Sequence, residues 1–205
     1  MLVPSMTLIE IRKEIEKDFP IVVRKADFLE HKLTRETRPH GKDSFVRVYD
    51  YLSKYKNNWL IRIETRRRVM GTSFLVYYYN NIGLAGITVS PDEELLGYYT
   101  SHFFKRFNQR LALNLTKPNE IMKAFINECF TFHGRNLDVI SPGIYKTVCA
   151  TQKGYCLGIM DENKKFLRIN TFITKDMLKE GQVPLADQLN QRMEKFINEH
   201  KNFQF

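Results

Sequence analysis

Apolar residues recur along this chain at two spacings, and the change from one to the other predicts its secondary structure. Near the start, Leu8, Ile11 and Ile15 lie at the spacing of one face of a helix. A first helix is therefore predicted over about 7–18, and Pro20 is expected to end it.

The stretch that follows is also predicted to be mainly helical. Within 21–43 the apolar spacing indicates a helix followed by a polar loop that starts near Arg38. A further amphipathic helix is predicted between Ser44 and Tyr55. Its apolar positions are Phe45, Val48, Tyr49 and Leu52.

From Asn58 onward the apolar residues alternate with polar ones, which is typical of a strand with one buried face. Two more strands are predicted over 73–79 and 83–89. The hairpin turn between them, at 80–83, has Asn and Gly residues that tolerate positive φ. A short strand over 95–99 completes a first antiparallel meander.

Helical spacing returns in the middle of the chain. Phe103, Phe107 and Leu111 predict one helix, and Pro118, well suited to a first helical position, predicts the start of another. A loop containing 133–135 and 141–143 should then lead to a second meander of three strands and a closing helix. The three strands are predicted over 144–150, 155–160 and 166–174.

These elements predict an α+β fold of antiparallel β meanders, with a helix pair between them and helices at both ends. We expect a single α+β unit over 1–205. The alternative is two subdomains. The N-terminal helices and first meander would then occupy 1–97, and the helix pair, second meander and C-terminal helix would occupy 98–205.

Composition adds limits on compartment and chemistry. The 205 residues are 43% hydrophobic, which is enough for a packed core. No apolar run is long enough to span a membrane, and the N-terminus lacks the apolar segment of a signal peptide, so we expect a cytoplasmic protein without a membrane partner. Three cysteines do not make a secreted disulfide framework and are expected to be reduced and buried.

The charge balance indicates the class of partner. Thirty-two Lys and Arg against 23 Asp and Glu give a formal net charge of +9. RNA or another polyanion is therefore an expected partner, with an affinity that falls as salt rises.

The candidate chemistry lies on one face of the first helix of the pair. His102, Arg106 and Arg110 are four residues apart, so their side chains form one polar row, here called the histidine ridge. One titratable imidazole beside two permanent cations suits a phosphodiester. The alternative is structural: the arginines pair with carboxylates and His102 helps to cap the helix.

The densest basic run is Arg66, Arg67 and Arg68. It is a candidate surface for the phosphates of a nucleic acid. The alternative is a charged strand edge that discourages association between sheets.

The order of elements from Tyr98 to Thr174 carries a resemblance. A short strand precedes a helix with His-x-x-x-Arg-x-x-x-Arg, and a second helix opens with Glu120 and Ile121. A meander with a glycine-containing hairpin and a Thr-x-x-Thr end follows. This arrangement resembles the RelE, barnase, EndoU and colicin-type ribonuclease superfamily.

The resemblance implies a metal-independent endoribonuclease of toxin-like type, in which the ribose 2′-hydroxyl attacks its own phosphate. His102 would move the proton, and Arg106 and Arg110 would stabilise charge on the phosphoryl oxygens. No metal and no cofactor are expected. Further candidates for binding RNA, named from position, are Lys146, Thr147, Thr151, Lys153, Thr171 and Thr174.

Two other readings stay open. One is a basic module that binds nucleic acid or a protein partner without catalysis, including a nuclease fold kept only as a scaffold. The other is a zinc site in which Cys129 and His133 join Cys149 or Cys156. The chain has no Walker loop, GxSxG elbow or GxGxxG turn, so nucleotide hydrolysis and Rossmann chemistry lack support.

Overall fold

The computed structural model describes most of the chain in two compact units, Met1–Leu96 and Gly97–Phe205. The described residues are 1–37, 44–66, 69–89, 95–129, 133–180, 186–192 and 194–195. Both units combine helices with antiparallel strands, so the predicted α+β class is confirmed. None of the helices in these ranges is long and apolar enough to cross a membrane.

The first unit packs one long helix against four strands. The helix is α1 (Leu8–Thr37), and the strands pair antiparallel in the order β1-β2-β3-β4. The strands are β1 (Ser44–Leu52), β2 (Asn58–Arg66), β3 (Val69–Asn80) and β4 (Gly83–Val89). The predicted meander of β2, β3 and β4 is confirmed, including the turn after Asn80.

Helix α1 begins with reciprocal hydrogen bonds between Thr7 and Glu10. The Thr7 hydroxyl accepts from the Glu10 amide at 3.3 Å, and the Thr7 amide donates to the Glu10 carboxylate at 2.7 Å. One apolar stripe then runs the length of the helix and is buried. It consists of Ile11, Ile15, Phe19, Val22, Ala26, Leu29 and Leu33.

The prediction that Pro20 ends the first helix is wrong, because α1 continues through it. An internal proline costs a helix about 3 kcal/mol. Pro20 and Glu16, whose carbonyl loses its donor, are both exposed, so water can hydrate that carbonyl. Beyond Pro20 the helix buries four more apolar side chains, each stabilising by about 1–3 kcal/mol, and this outweighs the break.

The predicted helix between Ser44 and Tyr55 is also wrong. Residues 44–52 form β1, which pairs with β2 over its whole length. The segment contains helical spacing, but it is rich in Val, Tyr and Phe, which fit a pleated surface better than a helix. The backbone hydrogen bonds that β2 offers along this whole segment favour the strand over the helix.

The second unit places two helices on a meander. Its strands lie in the order β5-β9-β8-β7-β6, and β6 to β9 pair antiparallel. The elements are β5 (Leu96–Tyr99), α2 (Ser101–Arg110), α3 (Pro118–Glu128), β6 (His133–Ser141), β7 (Ile144–Thr151), β8 (Gly154–Asp161) and β9 (Phe166–Ile173). A 3₁₀ turn at Lys175–Met177 and a helical segment at 186–192 follow.

Most of the predicted elements of this unit are confirmed: β5, the helix pair and the three strands β7, β8 and β9. The loop predicted over 133–143 is wrong for its first part, because 133–141 form β6. This strand ends the sheet, and its residues 134–140 are exposed, including the apolar Leu137, Val139 and Ile140. Polar and apolar residues alternate only over 136–139, so the local signal for a strand is weak. Pro142 and Gly143, also predicted to lie in this loop, do lie outside the strands and form the turn before β7, with Gly143 at φ +74°.

The core between the helices and the meander is aromatic. Phe103 and Phe107 of α2 pack edge-on against Phe125 of α3, with ring centroids 5.2 and 5.5 Å apart. Phe172 of β9 lies 5.2 Å from Phe107. These contacts fix both helices on the sheet. Of the apolar residues predicted for the closing helix, Leu189 is buried, and Leu185, Met193 and Phe196 fall outside the described residues.

Candidate functional site

The direction of the histidine ridge follows from how α2 is anchored. The Thr100 hydroxyl caps the helix by accepting from the Phe103 amide at 3.2 Å. Phe103, Phe104 and Phe107 are buried against the core. The opposite side of the helix must therefore face solvent, and His102 is exposed there.

The structure brings His102 and Arg106 together. The Arg106 Nε lies 3.5 Å from the His102 Nε2, which accepts the hydrogen bond. The Arg106 Nη1 donates to the Gln109 Oε1 at 3.1 Å, so this guanidinium is held from both sides along the helix. Sequence reasoning did not include Gln109, although its spacing of three residues from Arg106 could have indicated the contact.

Arg110, the third ridge residue, is turned toward the sheet. Its Nη1 donates to the Thr171 hydroxyl at 3.2 Å and to the Phe172 carbonyl. Both acceptors belong to β9. Arg110 thus fastens the end of α2 to the meander, and its Nε and Nη2 groups bond to no other described residue.

The two predicted lysines of the second meander form ion pairs. The Lys146 Nζ lies 3.1 Å from the Asp138 carboxylate, and the Lys153 Nζ lies 3.6 Å from the Glu128 carboxylate. Both lysines are exposed, so these pairs stabilise by about 1 kcal/mol or less and can exchange for a phosphate.

Three of the four predicted threonines have structural partners, Thr171 through Arg110 and Thr147 and Thr151 as follows. The buried Thr151 hydroxyl donates to the Gly154 carbonyl at 3.0 Å and accepts from the Lys153 and Gly154 amides, which shapes the β7–β8 turn. Thr147 donates to the Asn136 Oδ1 at 2.8 Å. Thr174 precedes the 3₁₀ turn without a side-chain cap.

The arginine run lies at the edge of what the structure describes. Arg66 is the last residue of β2, but its side chain, together with Arg67 and Arg68, falls outside the described set. The nearby Arg62 is nearly buried and pairs with the Glu64 carboxylate at 2.6 Å. It is therefore part of the fold of the first unit.

The three cysteines are buried free thiols. Cys149 and Cys156 lie directly opposite each other on β7 and β8. Burial raises the pKa of Cys129 and of Cys149 to about 12 and that of Cys156 well above its usual value. Within the described ranges, no group of three or more metal-binding side chains could hold an ion, and the side chain of His133 falls outside them.

These thiols are expected to resist alkylation in the folded protein. A thiol with a pKa near 12 is almost entirely protonated at pH 8, and only the thiolate is nucleophilic. Mass spectrometry after iodoacetamide treatment should find all three cysteines unmodified when folded and modified in denaturant. Rapid alkylation of the folded chain at pH 8 would contradict the buried arrangement.

Comparisons with known proteins add no assignment: no family model, no curated protein and no solved structure matches this chain.

Proposed function

We propose that this protein is a metal-independent endoribonuclease acting at the histidine ridge. The observation that supports this most directly is the contact of the exposed His102 imidazole with the Arg106 guanidinium on a helix anchored by its other face. An imidazole, which can accept and donate a proton, and a guanidinium, which can bind phosphate, then lie side by side on an anchored helix.

In the proposed reaction the Arg106 guanidinium turns from the His102 Nε2 to the phosphate, and the freed Nε2 accepts the proton of the ribose 2′-hydroxyl as that oxygen attacks the adjacent phosphorus. The bond from phosphorus to the 5′-oxygen of the next nucleotide breaks, and a 2′,3′-cyclic phosphate forms. The imidazolium returns the proton to the departing 5′-oxygen. One histidine can serve both steps, because it regains its neutral form at the end.

The two arginines would stabilise the charge that builds on the phosphoryl oxygens. Arg106 is the nearer to His102, and its planar guanidinium can donate two parallel hydrogen bonds to phosphate oxygens. Arg110 is fastened to β9 through Nη1 alone, so its remaining N–H groups can still donate to a phosphate oxygen. Its contact with β9 limits how far it can move, which reduces the entropy lost on binding.

The test is cleavage of a single-stranded RNA by the full chain in the presence of a chelator. Cleavage is expected to persist in the chelator and to disappear when the 2′-hydroxyl at the cut is replaced by hydrogen. The product should carry a 2′,3′-cyclic phosphate, visible by mass spectrometry. A divalent-ion requirement, or cleavage of the 2′-deoxy strand, would contradict the mechanism.

A second candidate is RNA binding without cleavage. Within the described part of the chain, His102 hydrogen-bonds only to Arg106, so no carboxylate orients the imidazole as one often does in catalytic sites. A folded protein that binds the RNA but leaves it intact would favour this second function.

A further inference from the structure

Three lysines of the first unit lie over aromatic rings. The Lys17 Nζ is 4.2 Å from the centre of the Tyr55 ring, and the Lys54 Nζ is 5.0 Å from the same ring. The Lys25 Nζ is 4.9 Å from the Phe28 ring and 5.9 Å from the Tyr51 ring. Each distance is within the range of a cation–π contact.

These contacts form two clusters on one side of the unit. Lys17 and Lys25 are eight residues apart on α1, which separates them by about 12 Å along the helix axis. Of the rings beneath these lysines, Phe28 belongs to α1 itself, Tyr51 to β1 and Tyr55 to the turn after β1. We call the set the lysine–aromatic face; its members are Lys17, Lys25, Phe28, Tyr51, Lys54 and Tyr55.

The lysines of this face differ from other lysines of the chain in what they pair with. Lys32, Lys117 and Lys164 all lie within 4 Å of a carboxylate. None of Lys17, Lys25 and Lys54 forms an ion pair with a described carboxylate. Asp50 precedes Tyr51 on β1, so its side chain points to the opposite face of the sheet. Glu14, three residues before Lys17 on α1, interacts with the charge of Lys17, but its carboxylate is already paired with the N-terminal ammonium group. The positive charge of the face is therefore only partly offset by neighbouring carboxylates.

The rings can be reached from solvent, since Phe28 is 57% exposed and Tyr51 and Tyr55 are partly exposed. In the free protein the ammonium groups lie over these rings. Each lysine side chain is flexible enough to turn to a phosphate and leave its ring to a base. Cations beside exposed rings thus match the two parts of a single-stranded nucleic acid. Phosphates pair with the cations, and unpaired bases stack on the rings.

We propose that the lysine–aromatic face binds single-stranded RNA. A duplex fits it poorly, because paired bases cover each other's faces and leave nothing to stack on Phe28 or Tyr55. The choice of RNA rather than DNA rests on the proposed function, since RNA is the polymer that the histidine ridge would cleave. The face itself lies entirely within the first unit.

The experiment measures binding of a labelled oligouridine with 2′-O-methyl groups to the full chain, by fluorescence anisotropy over a range of salt. This probe cannot be cleaved through its 2′-oxygen, so the result does not depend on catalysis. Replacing Lys17, Lys25 and Lys54 together by Gln should reduce the slope of log affinity against log salt by about 2, since each phosphate contact on a single strand contributes about 0.7.

The matched control replaces Lys32, Lys117 and Lys164 together by Gln. It removes the same charge from lysines that already pair with carboxylates, and its salt slope should change by less than half as much. Equal effects of the two triple variants would mean that net charge alone attracts the RNA, which would overturn the proposal.

The role of the rings is tested separately. Phe28→Ala and Tyr55→Leu should each weaken binding of the oligouridine about fivefold or more, and should leave unchanged the binding of an abasic strand with the same phosphates. Phe28 is exposed, so its replacement should not disturb folding, as thermal unfolding will show. Binding of the abasic strand, of polyglutamate or of anionic vesicles as tight as that of the oligouridine would identify a general anion surface instead.

Discussion

Replacing His102 with alanine is expected to lower the rate of RNA cleavage by about 10²- to 10⁴-fold, the usual contribution of a general acid–base group. The imidazole is exposed and, among described residues, bonds only to Arg106. Stability should therefore change by no more than about 0.5 kcal/mol. Single-turnover cleavage of a labelled RNA and thermal unfolding measure the two quantities.

Lys105→Ala is the matched control. Lys105 is exposed on α2 next to the ridge but outside it, so this variant loses a positive charge and a long side chain without touching the proposed chemistry. It should retain the cleavage rate within a few fold. A His102→Ala protein as active as the Lys105→Ala protein would exclude His102 as the proton shuttle.

The elements that the sequence predicts correctly are those with strong local signals. Helix α2 combines an apolar stripe with a capping threonine, and α3 begins with proline at its first turn. The β3–β4 hairpin has Asn80 at its turn, where the side chain accepts from the amides of Ile82 and Gly83. Each of these signals acts within a few residues, so it can be read without the rest of the chain.

The errors occur where a distant partner decides the structure. Residues 44–52 carry both helical spacing and strand-forming residues, and only the presence of β2 beside them selects the strand. The helix continues past Pro20 because residues beyond it bury their side chains in the same core. In strand β6 polar and apolar residues alternate only over 136–139, and its exposed edge position gives no longer period that would identify a strand.

The candidate site also combines contacts that local spacing predicts with contacts that only the folded chain shows. Four-residue spacing alone predicts that His102 and Arg106 share a face, since the helix itself sets that geometry. The attachment of Arg110 to β9 joins residues 61 and 62 positions apart and could not be read from spacing. The lysine–aromatic face also needs the tertiary structure, because α1 and β1 each supply only part of it.

Asp18 is another residue whose role appears only in the folded chain. It lies in the middle of α1 and is fully buried. Its Oδ2 accepts from the Ser53 hydroxyl at 2.7 Å, from the Asn57 Nδ2 at 2.8 Å and from the Trp59 Nε1 at 2.8 Å. One carboxylate thus joins the long helix to the β1–β2 turn and to the start of β2.

Asp18→Ala is expected to lower the free energy of unfolding by about 3–5 kcal/mol, the range for removing one partner from a buried charged network. The loss arises because the donors of Ser53, Asn57 and Trp59 would lose this acceptor, and a buried donor left unpaired costs about 1–3 kcal/mol unless water enters. The Asn57 Nδ2 would keep only its hydrogen bond of 3.3 Å to the Glu14 carboxylate. Against a typical total of about 5–15 kcal/mol this is a large fraction. Urea unfolding followed by circular dichroism and by the emission of Trp59, the single tryptophan, measures it.

Two further variants separate the loss of the buried hydrogen bonds from other effects of replacing an aspartate on α1. Asp18→Asn keeps an oxygen for the three donors and removes the charge. The Asp18 Oδ1 has no partner in the described structure, so placing the amide nitrogen at that position breaks no hydrogen bond. The loss of stability should therefore be smaller than for Asp18→Ala.

Asp27→Ala, at an exposed aspartate of the same helix, should change stability by about 0.5 kcal/mol or less. If Asp18→Ala proved no more destabilising than Asp27→Ala, the three hydrogen bonds would not be what holds α1 to the β1–β2 turn, and packing of the apolar stripe would have to do so alone.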